Sequence, residues 1–393
     1  MKSVLAVIPN DPLWAYIQKG ELKTRYFNPN DVFEKVHFFT PSDDDADPKE
    51  LGDIAGKAEV FVHPLGKLTV SRLLWPWPWV LRAAERITRA SPCAIRAYNP
   101  TYGGLAAVTA AHRLNIPSVI SLHGNYDYDE RYLLFKHRRF LSCLKYVYTG
   151  LFIESSTLRR ASRVVAAYRF PAEYARKCGV EEERLEIIYN RVDMSLFTPR
   201  TPHANDHRLK VVCVGRLHVL KGQYTLVRAM EGLDADLILV GDGEEYARLK
   251  KLVHHLKMDS RVTFYRSVPN KQLSSIYKQA DVFALPMEYG GVSIPMFEAA
   301  ASYLPLVLPR RTAVASPELV HDSALFVENS PKGFAEGIRR LLGDPQLRQQ
   351  LGERGRKAVL AVDAPAMEAR EADMYRRVLD QVSLSNSCKI APG

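Results

Sequence analysis

At 393 residues, with 47% hydrophobic and 25% charged side chains, the chain has a globular composition and is long for one core at roughly 100–200 residues per domain. Five widely spaced cysteines with no Cys-x-x-Cys pair exclude a disulfide framework and a zinc knuckle, and point to a reducing cytoplasm. The formal charge of +10 predicts an anionic partner, while no apolar run reaches the roughly 20 residues of a membrane span.

In chain order, β-branched runs at 4–8, 36–39, 60–62, 119–122, 164–167 and 187–189 predict buried parallel strands with helices between them. Asp43 to Asp47, ahead of Pro48, reads as a solvated turn and helix cap. Trp75, Trp77 and Trp79, separated by prolines, suit an interfacial anchor, an acceptor groove or the packing of a rigid loop. Residues 131–180 carry eleven Lys or Arg against two acids, Glu154 and Glu173. Within that stretch Leu133, Phe140, Leu144, Val147 and Leu151 share one helical face, with Arg131, Arg138, Ser142 and Lys145 opposite. Two readings stay open: a core stripe with solvated charges outside, or peripheral contact with an anionic membrane through 131–150. No aromatic platform or recognition helix accompanies the charge, so nucleic acid is not an expected partner.

The polar stretch 198–208 is the expected linker, and a second strand series follows at 211–214, 237–240, 262–265, 282–285, 306–308 and 325–327. Tyr246, Leu249, Val253 and Leu256 fall on one helical face, as do Phe334, Ile338, Leu341 and Leu342. Strand and helix alternating on this scale predict an α/β protein of two doubly wound lobes. The expected domains are 1–198 and 209–373, with a last helix around 374–393 crossing back to the first lobe.

Ligands of open α/β sheets sit at the carboxyl ends of strands, and there this chain places short glycine-bearing motifs. The first is Gly215-Arg216-Leu217 followed by Lys221-Gly222, where a two-pronged guanidinium and a point charge suit a phosphate. Gly241-Asp242-Gly243 follows the next strand and reads equally as a tight turn or as ligand contact. A third loop runs from Glu288 through Gly290, Gly291, Val292 and Ser293 into a helix carrying Glu298; its backbone N–H groups can cradle a diphosphate, with Glu298 accepting from ribose. His123 ends a first-lobe strand, as a structural hydrogen-bonder or as a substrate contact. Asp127-Tyr128-Asp129 and Asp43 to Asp45 have the look of metal-binding pairs in polar loops.

Taken in order, Gly215-Arg216, Lys221-Gly222, Val240 to Gly243, Tyr277 with Ala280-Asp281-Val282, Pro295 with Glu298-Ala299 and Ala301, and Pro317 to Val320 resemble the retaining glycosyltransferases of family 4, the glycosyl transferases group 1. The resemblance implies a GT-B fold, two Rossmann-like lobes facing across a cleft, with the first binding the acceptor and the second the nucleotide sugar. It implies retention, no metal and no further cofactor, and a saccharide or lipid-linked saccharide as acceptor in cell-surface polysaccharide or glycolipid synthesis. By the same resemblance Arg216 and Lys221 bind the donor diphosphate, Glu298 holds ribose, and His123 lies near the reacting sugar. The family's earlier glutamate corresponds here to Gly290, with Glu288 two residues before it, and Ser293 stands where glycine is frequent. That departure leaves a catalytically weak scaffold or regulatory subunit as the alternative, alongside a non-hydrolysing sugar-nucleotide epimerase.

Overall fold

The computed structural model describes residues 3–19, 23–44, 46–66, 75–124, 135–136, 140–199, 208–288, 291–315 and 322–388. The chain divides into two units, Met1–Tyr189 with Met367–Gly393, and Asn190–Ala366.

In the first unit the strands are β1 (Val4–Ile8), β2 (Lys35–Thr40), β3 (Glu59–Pro64), β4 (Ala94–Ala97), β5 (Ser118–Leu122), β6 (Arg163–Ala166) and β7 (Leu185–Ile187). They form one sheet in the order β3-β2-β1-β4-β5-β6-β7, with every pairing parallel. Its helices are α1 (Leu13–Lys19), α2 (Trp77–Arg89), α3 (Tyr102–Leu114), α4 (Phe140–Thr149), α5 (Ser155–Arg160) and α6 (Arg169–Lys177). Parallel strands covered on both faces are near-continuous apolar runs, and β5 is buried at all five positions, Ser118 and Ser121 included. The core joins Ile8, Ile95, Ile120 and Val164 of the strands to Val80, Ile87, Leu105 and Leu158 of the helices.

The second unit has β8 (Lys210–Val214), β9 (Asp236–Val240), β10 (Val262–Tyr265), β11 (Val282–Ala284), β12 (Leu306–Pro309) and β13 (Ala324–Val327), parallel in the order β10-β9-β8-β11-β12-β13. Between them run α7 (Gln223–Ala229), α8 (Tyr246–His255), α9 (Asn270–Gln279), α10 (Ile294–Ala301) and α11 (Arg310–Ala315); α12 (Pro331–Gly343) and α13 (Pro345–Val359) follow. This strand order is that of a Rossmann sheet, with its switch point between β8 and β11. A last helix, α14 (Ala364–Cys388), leaves the second unit and joins the first from Met367 onward.

Several expectations shift. The unit boundary falls after Tyr189 rather than near 198, because the chain beyond it is tied to the second unit: Val192 N–H donates to Val362 O (3.3 Å), Ala364 N–H donates to Val192 O (2.9 Å), and Arg356 donates to Phe197 O (2.5 Å). Strand β4 was not expected, its Ala-Ile-Arg-Ala sequence lacking a β-branched run. Asp44 is not solvated: its carboxylate is buried and accepts the Leu13 N–H (2.5 Å) at the start of α1, while Asp47 caps the following turn at Lys49. Trp79 is core and donates its indole N–H to Gly66 O, whereas Trp75 and Trp77 are exposed.

The apolar stripe of α4 is turned outward. Leu144 is 55% exposed, and Leu151 and Phe152 in the π-helical turn Gly150–Glu154 are 71% and 69% exposed. Lys145, expected on the solvated side, is instead partly buried over the Tyr146 ring, and burial lowers its pKa against the opposing pull of Glu154. The turn is held by the buried Glu154 carboxylate, which accepts from the Thr149 hydroxyl (2.6 Å) and the Tyr174 hydroxyl. Arg131, Leu133 and Arg138 lie outside the described residues, as do Asp127 to Asp129 and Pro317 to Val320.

On the β2–β3 edge, His37 and His63 face one another with Nδ1 and Nε2 3.0 Å apart, in a ladder of stacked rings with Phe61 and Phe39. Burial first, then His63 and Lys35, lower the His37 pKa from 6.5 to about 4, against Glu59; burial and Arg86 lower His63 as well. A group with a depressed folded pKa takes protons in the unfolded chain first. The stability this contributes is complete above pH 6.5 and is lost as pH falls toward 4. His37→Asn should therefore shrink the fall in Tm between pH 7 and pH 4.5 measured by scanning calorimetry; an equal fall in both proteins would refute the assignment.

Candidate functional site

The candidate residues of the second unit gather at the carboxyl ends of its strands on either side of the switch point. Gly215 ends β8 and is pinned by its N–H to Val240 O (2.9 Å); Gly241 ends the neighbouring β9 and donates to Tyr265 O (2.8 Å). The two turns lie backbone against backbone. A Cβ on Gly241, at φ 138°, would fall 2.2 Å from the Gly215 carbonyl oxygen, whereas a Cβ on Gly215 would meet nothing within 4 Å. The tight-turn reading of Gly241 is thereby accounted for, and the open side lies at Gly215.

From Gly215 the chain passes to Arg216, whose side chain is exposed, and to the buried Leu217. Gln223, at the start of α7, donates its side-chain amide to Arg216 O (2.9 Å) and so fixes the turn from behind. His218 caps the following single turn, its Nδ1 accepting the Leu220 N–H at 3.2 Å, and its Nε2 lies 3.5 Å from Glu244. Lys221 reaches toward β11, with Nζ 3.4 Å from Met287 Sδ. Burial pushes the Cys213 thiol up to about 12, and the Lys221 ammonium pulls against that shift, which puts this cation beside the end of β8.

Loop and strand are tied together at Gly222, where a Cβ would fall 2.0 Å from the Pro286 carbonyl oxygen. Next to that contact Glu288 N–H donates to Leu220 O (3.0 Å), setting Glu288 in the same neighbourhood as Lys221. Gly290 lies outside the described residues, Gly291 is buried, and Val292 is half-buried. Ser293 is the N-cap residue of α10 and makes no side-chain cap bond; its buried Oγ has no hydrogen-bond partner among the described residues. A buried hydroxyl without a partner at a helix start suits a polar ligand.

Glu298, one turn further on, is only 2% exposed and accepts from the Tyr277 hydroxyl (3.2 Å), which also reaches Pro295 O. Burial, and then the Glu298 carboxylate, push the Tyr277 phenol well above its usual pKa, so it remains a donor. Sequence reading singled out Glu298 and Tyr277 as motif positions, but not His218 or Gln223. Only their closeness to Lys221-Gly222 could have marked them.

In the first unit His123 follows β5, on a separate unit from the residues above. Its ring stacks on that of Tyr98, with centroids 5.3 Å apart and planes at 19°. Asp193, at the start of the second unit, is a local cap, accepting from Ser195 N–H at 2.9 Å and Leu196 N–H at 3.2 Å. No three His, Cys, Asp or Glu side chains among the described residues lie together as metal ligands.

Comparison with known proteins bears on this arrangement. The profile described as Glycosyltransferase Family 4 matches residues 34–196, and that described as Glycosyl transferases group 1 matches 197–358. A GDP-mannose-dependent alpha-(1-6)-phosphatidylinositol monomannoside mannosyltransferase of Mycobacterium tuberculosis is 29% identical over 236 residues, covering 53% of this chain and 61% of the relative. A D-inositol 3-phosphate glycosyltransferase of Xylanimonas cellulosilytica is 26% identical, covering 55% of each. The match thus spans less than two thirds of these relatives' length.

Among solved structures, sucrose-phosphate synthase from Thermosynechococcus elongatus superposes with a TM-score of 0.72 at 19% identity, over 97% of this chain and 100% of that one. Anabaena HepE in complex with UDP and glucose gives 0.68 at 17% identity, over 96% and 100%. At those identities the likeness concerns the fold alone, and the fold is GT-B. With the two profiles running end to end across the two Rossmann-like units, the chain belongs to the glycosyl transferases group 1 of glycosyltransferase family 4.

Proposed function

We propose that the chain is a retaining glycosyltransferase that moves a sugar from a nucleotide sugar to an acceptor hydroxyl. The observation that carries this is the convergence of Arg216, Lys221, the open side of Gly215 and the uncapped start of α10 at the switch point of the second sheet. Departure of a nucleoside diphosphate develops negative charge on its phosphate oxygens. A guanidinium and an ammonium presented from fixed turns stabilise that charge with little reorganisation. Lys221 is held by its contact with Met287 and Arg216 by Gln223 acting on its backbone, so both cations are presented from fixed turns. Glu298, steadied by Tyr277, is assigned to the ribose hydroxyls. Glu288 is assigned to the donor sugar in place of the glutamate that Gly290 lacks. His123 is assigned to the sugar from the first unit, which takes the acceptor. Charge stabilisation is thus given to side chains and backbone rather than to a metal ion.

A lipid-linked acceptor is the favoured class. The outward stripe of Leu144, Val147, Leu151 and Phe152 is exposed apolar surface, followed along the chain by the exposed Arg159 and Arg160, suited to lying on an anionic bilayer as a peripheral contact. The mycobacterial relative is named for a phosphatidylinositol-bearing acceptor, which supports the same class. No helix among the described residues is long and apolar enough to cross a membrane.

Calorimetry with UDP, GDP, UDP-glucose and GDP-mannose tests the donor site. One of them should bind, and Arg216→Ala should weaken it roughly 10- to 100-fold, as expected for a charge-assisted hydrogen bond of about 1.5–3 kcal/mol. Silence from every nucleotide would remove the reading. The lipid surface is tested by co-sedimentation with phosphatidylglycerol vesicles. Leu151→Ser with Phe152→Ser should cut the bound fraction at least about tenfold, given about 1.5–3 kcal/mol per buried large apolar side chain. Equal sedimentation of wild type and variant would rule this surface out.

A further inference from the structure

The first unit contains a buried ion pair that the donor chemistry does not use. Arg96, on β4, is 3% exposed, and its Nε and Nη1 are hydrogen-bonded. Nε donates to Ser121 Oγ (2.9 Å) on β5, while Nη1 donates to the Glu371 carboxylate and to Tyr375 Oη (3.1 Å), both on α14. Burying two charges is unfavourable unless the geometry is good and the remaining donors are satisfied, and removing one partner leaves the other charge uncompensated.

What the pair specifies is the ring two residues further along the chain. The Arg96 guanidinium carbon lies 4.8 Å from the centroid of Tyr98, a buried ring that packs edge-on with Phe27 at 5.1 Å and stacks on His123 at 5.3 Å. A continuous line of contacts therefore runs from Glu371 through Arg96 and Tyr98 to His123. An imidazole lying flat on a fixed ring keeps only rotation within that plane, so the plane of Tyr98 limits where the two ring nitrogens of His123 can point.

We propose that Arg96, locked by Glu371 and Tyr375 of the C-terminal helix, is a positioning residue for His123, acting through the Tyr98 ring. The reactive consequence rests on the assignment of His123 to the donor sugar made above. The orientation itself does not.

The test separates the two. Imidazole 15N and 13C signals of His123, assigned by comparison with His123→Ala, are followed against pH in wild type, Arg96→Lys and Glu371→Gln. Lysine keeps the charge without the fork, glutamine keeps the shape without the charge, and either serves if the other fails to fold. Arg377→Gln is the control: it removes an exposed contact of the same helix, Arg377 to Glu186 at 2.7 Å. The Arg96 and Glu371 variants should each displace the His123 signals or the midpoint of their titration, with the control matching wild type. Unchanged signals in both, or equal displacement in the control, would overturn the proposal.

A second arm measures release of nucleoside diphosphate from UDP-glucose and GDP-mannose. Arg96→Lys should lower turnover tenfold or more with donor Kd within twofold. In the His123→Ala background it should add no more than a further twofold loss, because the two residues act as one unit. A full additional loss would reduce Arg96 to a merely structural part. Wild-type turnover in His123→Ala would instead remove the catalytic assignment of His123, leaving the spectra to decide orientation.

Discussion

Backbone packed directly on backbone is the constraint from which the second unit's site is built. At Gly241 and Gly222 the main chain of one turn comes so close to the carbonyl of another, at Gly215 and Pro286, that any side chain would collide with it. Two consequences follow. Turns that close cannot shift independently, so the strand ends after β8, β9 and β11 act as one rigid rim. The rim holds the backbone of Arg216, Lys221 and Glu288 in place. A site that must meet developing charge without reorganising needs this property more than it needs any one side chain.

The first unit reaches order at His123 by other means. There the means are side chains: a buried cation, a carboxylate from a distant helix, and a column of aromatic rings around Tyr98 and Phe27. Aromatic packing of this kind is permissive about sequence and strict about plane. The helix that supplies Glu371 is covalently continuous with the second unit through Ala364–Ala366, and it completes the packing behind Tyr98 and His123 within the first unit.

What the sequence disclosed follows the same division. Strands such as 4–8 and 237–240 are legible because parallel strands buried on both faces leave uninterrupted apolar runs, and the glycine turns are legible because only glycine tolerates the approach. Strand β4 was hidden by Arg96, a charge that makes sense only with Glu371, 275 residues away in sequence, to neutralise it. The polar stretch near 200 looked like the boundary, yet Val192 and Phe197 are already part of the second unit, since backbone pairing with Val362 and Ala364 cannot be read from local composition. Glu298 was found by its motif, but its burial under Tyr277 was not, because a spacing gives identity without environment.

The stripe on α4 shows the limit of periodicity most clearly. A period of 3.6 finds a face; it does not say what covers it. Here the inner side of the helix is already taken: Tyr148 and Ile153 pack on the core, and Thr149 is bonded to the buried Glu154. Rotating the helix to bury Leu144 and Leu151 would carry the Glu154 carboxylate away from the Tyr174 hydroxyl on α6. That bond is worth about 1.5–3 kcal/mol when one partner is charged, before any desolvation of the abandoned carboxylate is counted. The apolar residues would recover a comparable amount only if the core had room for them, and Tyr148 and Ile153 occupy that room. The outward stripe is therefore a consequence of a polar network holding the helix in register, and the apolar surface is what that register leaves to the outside.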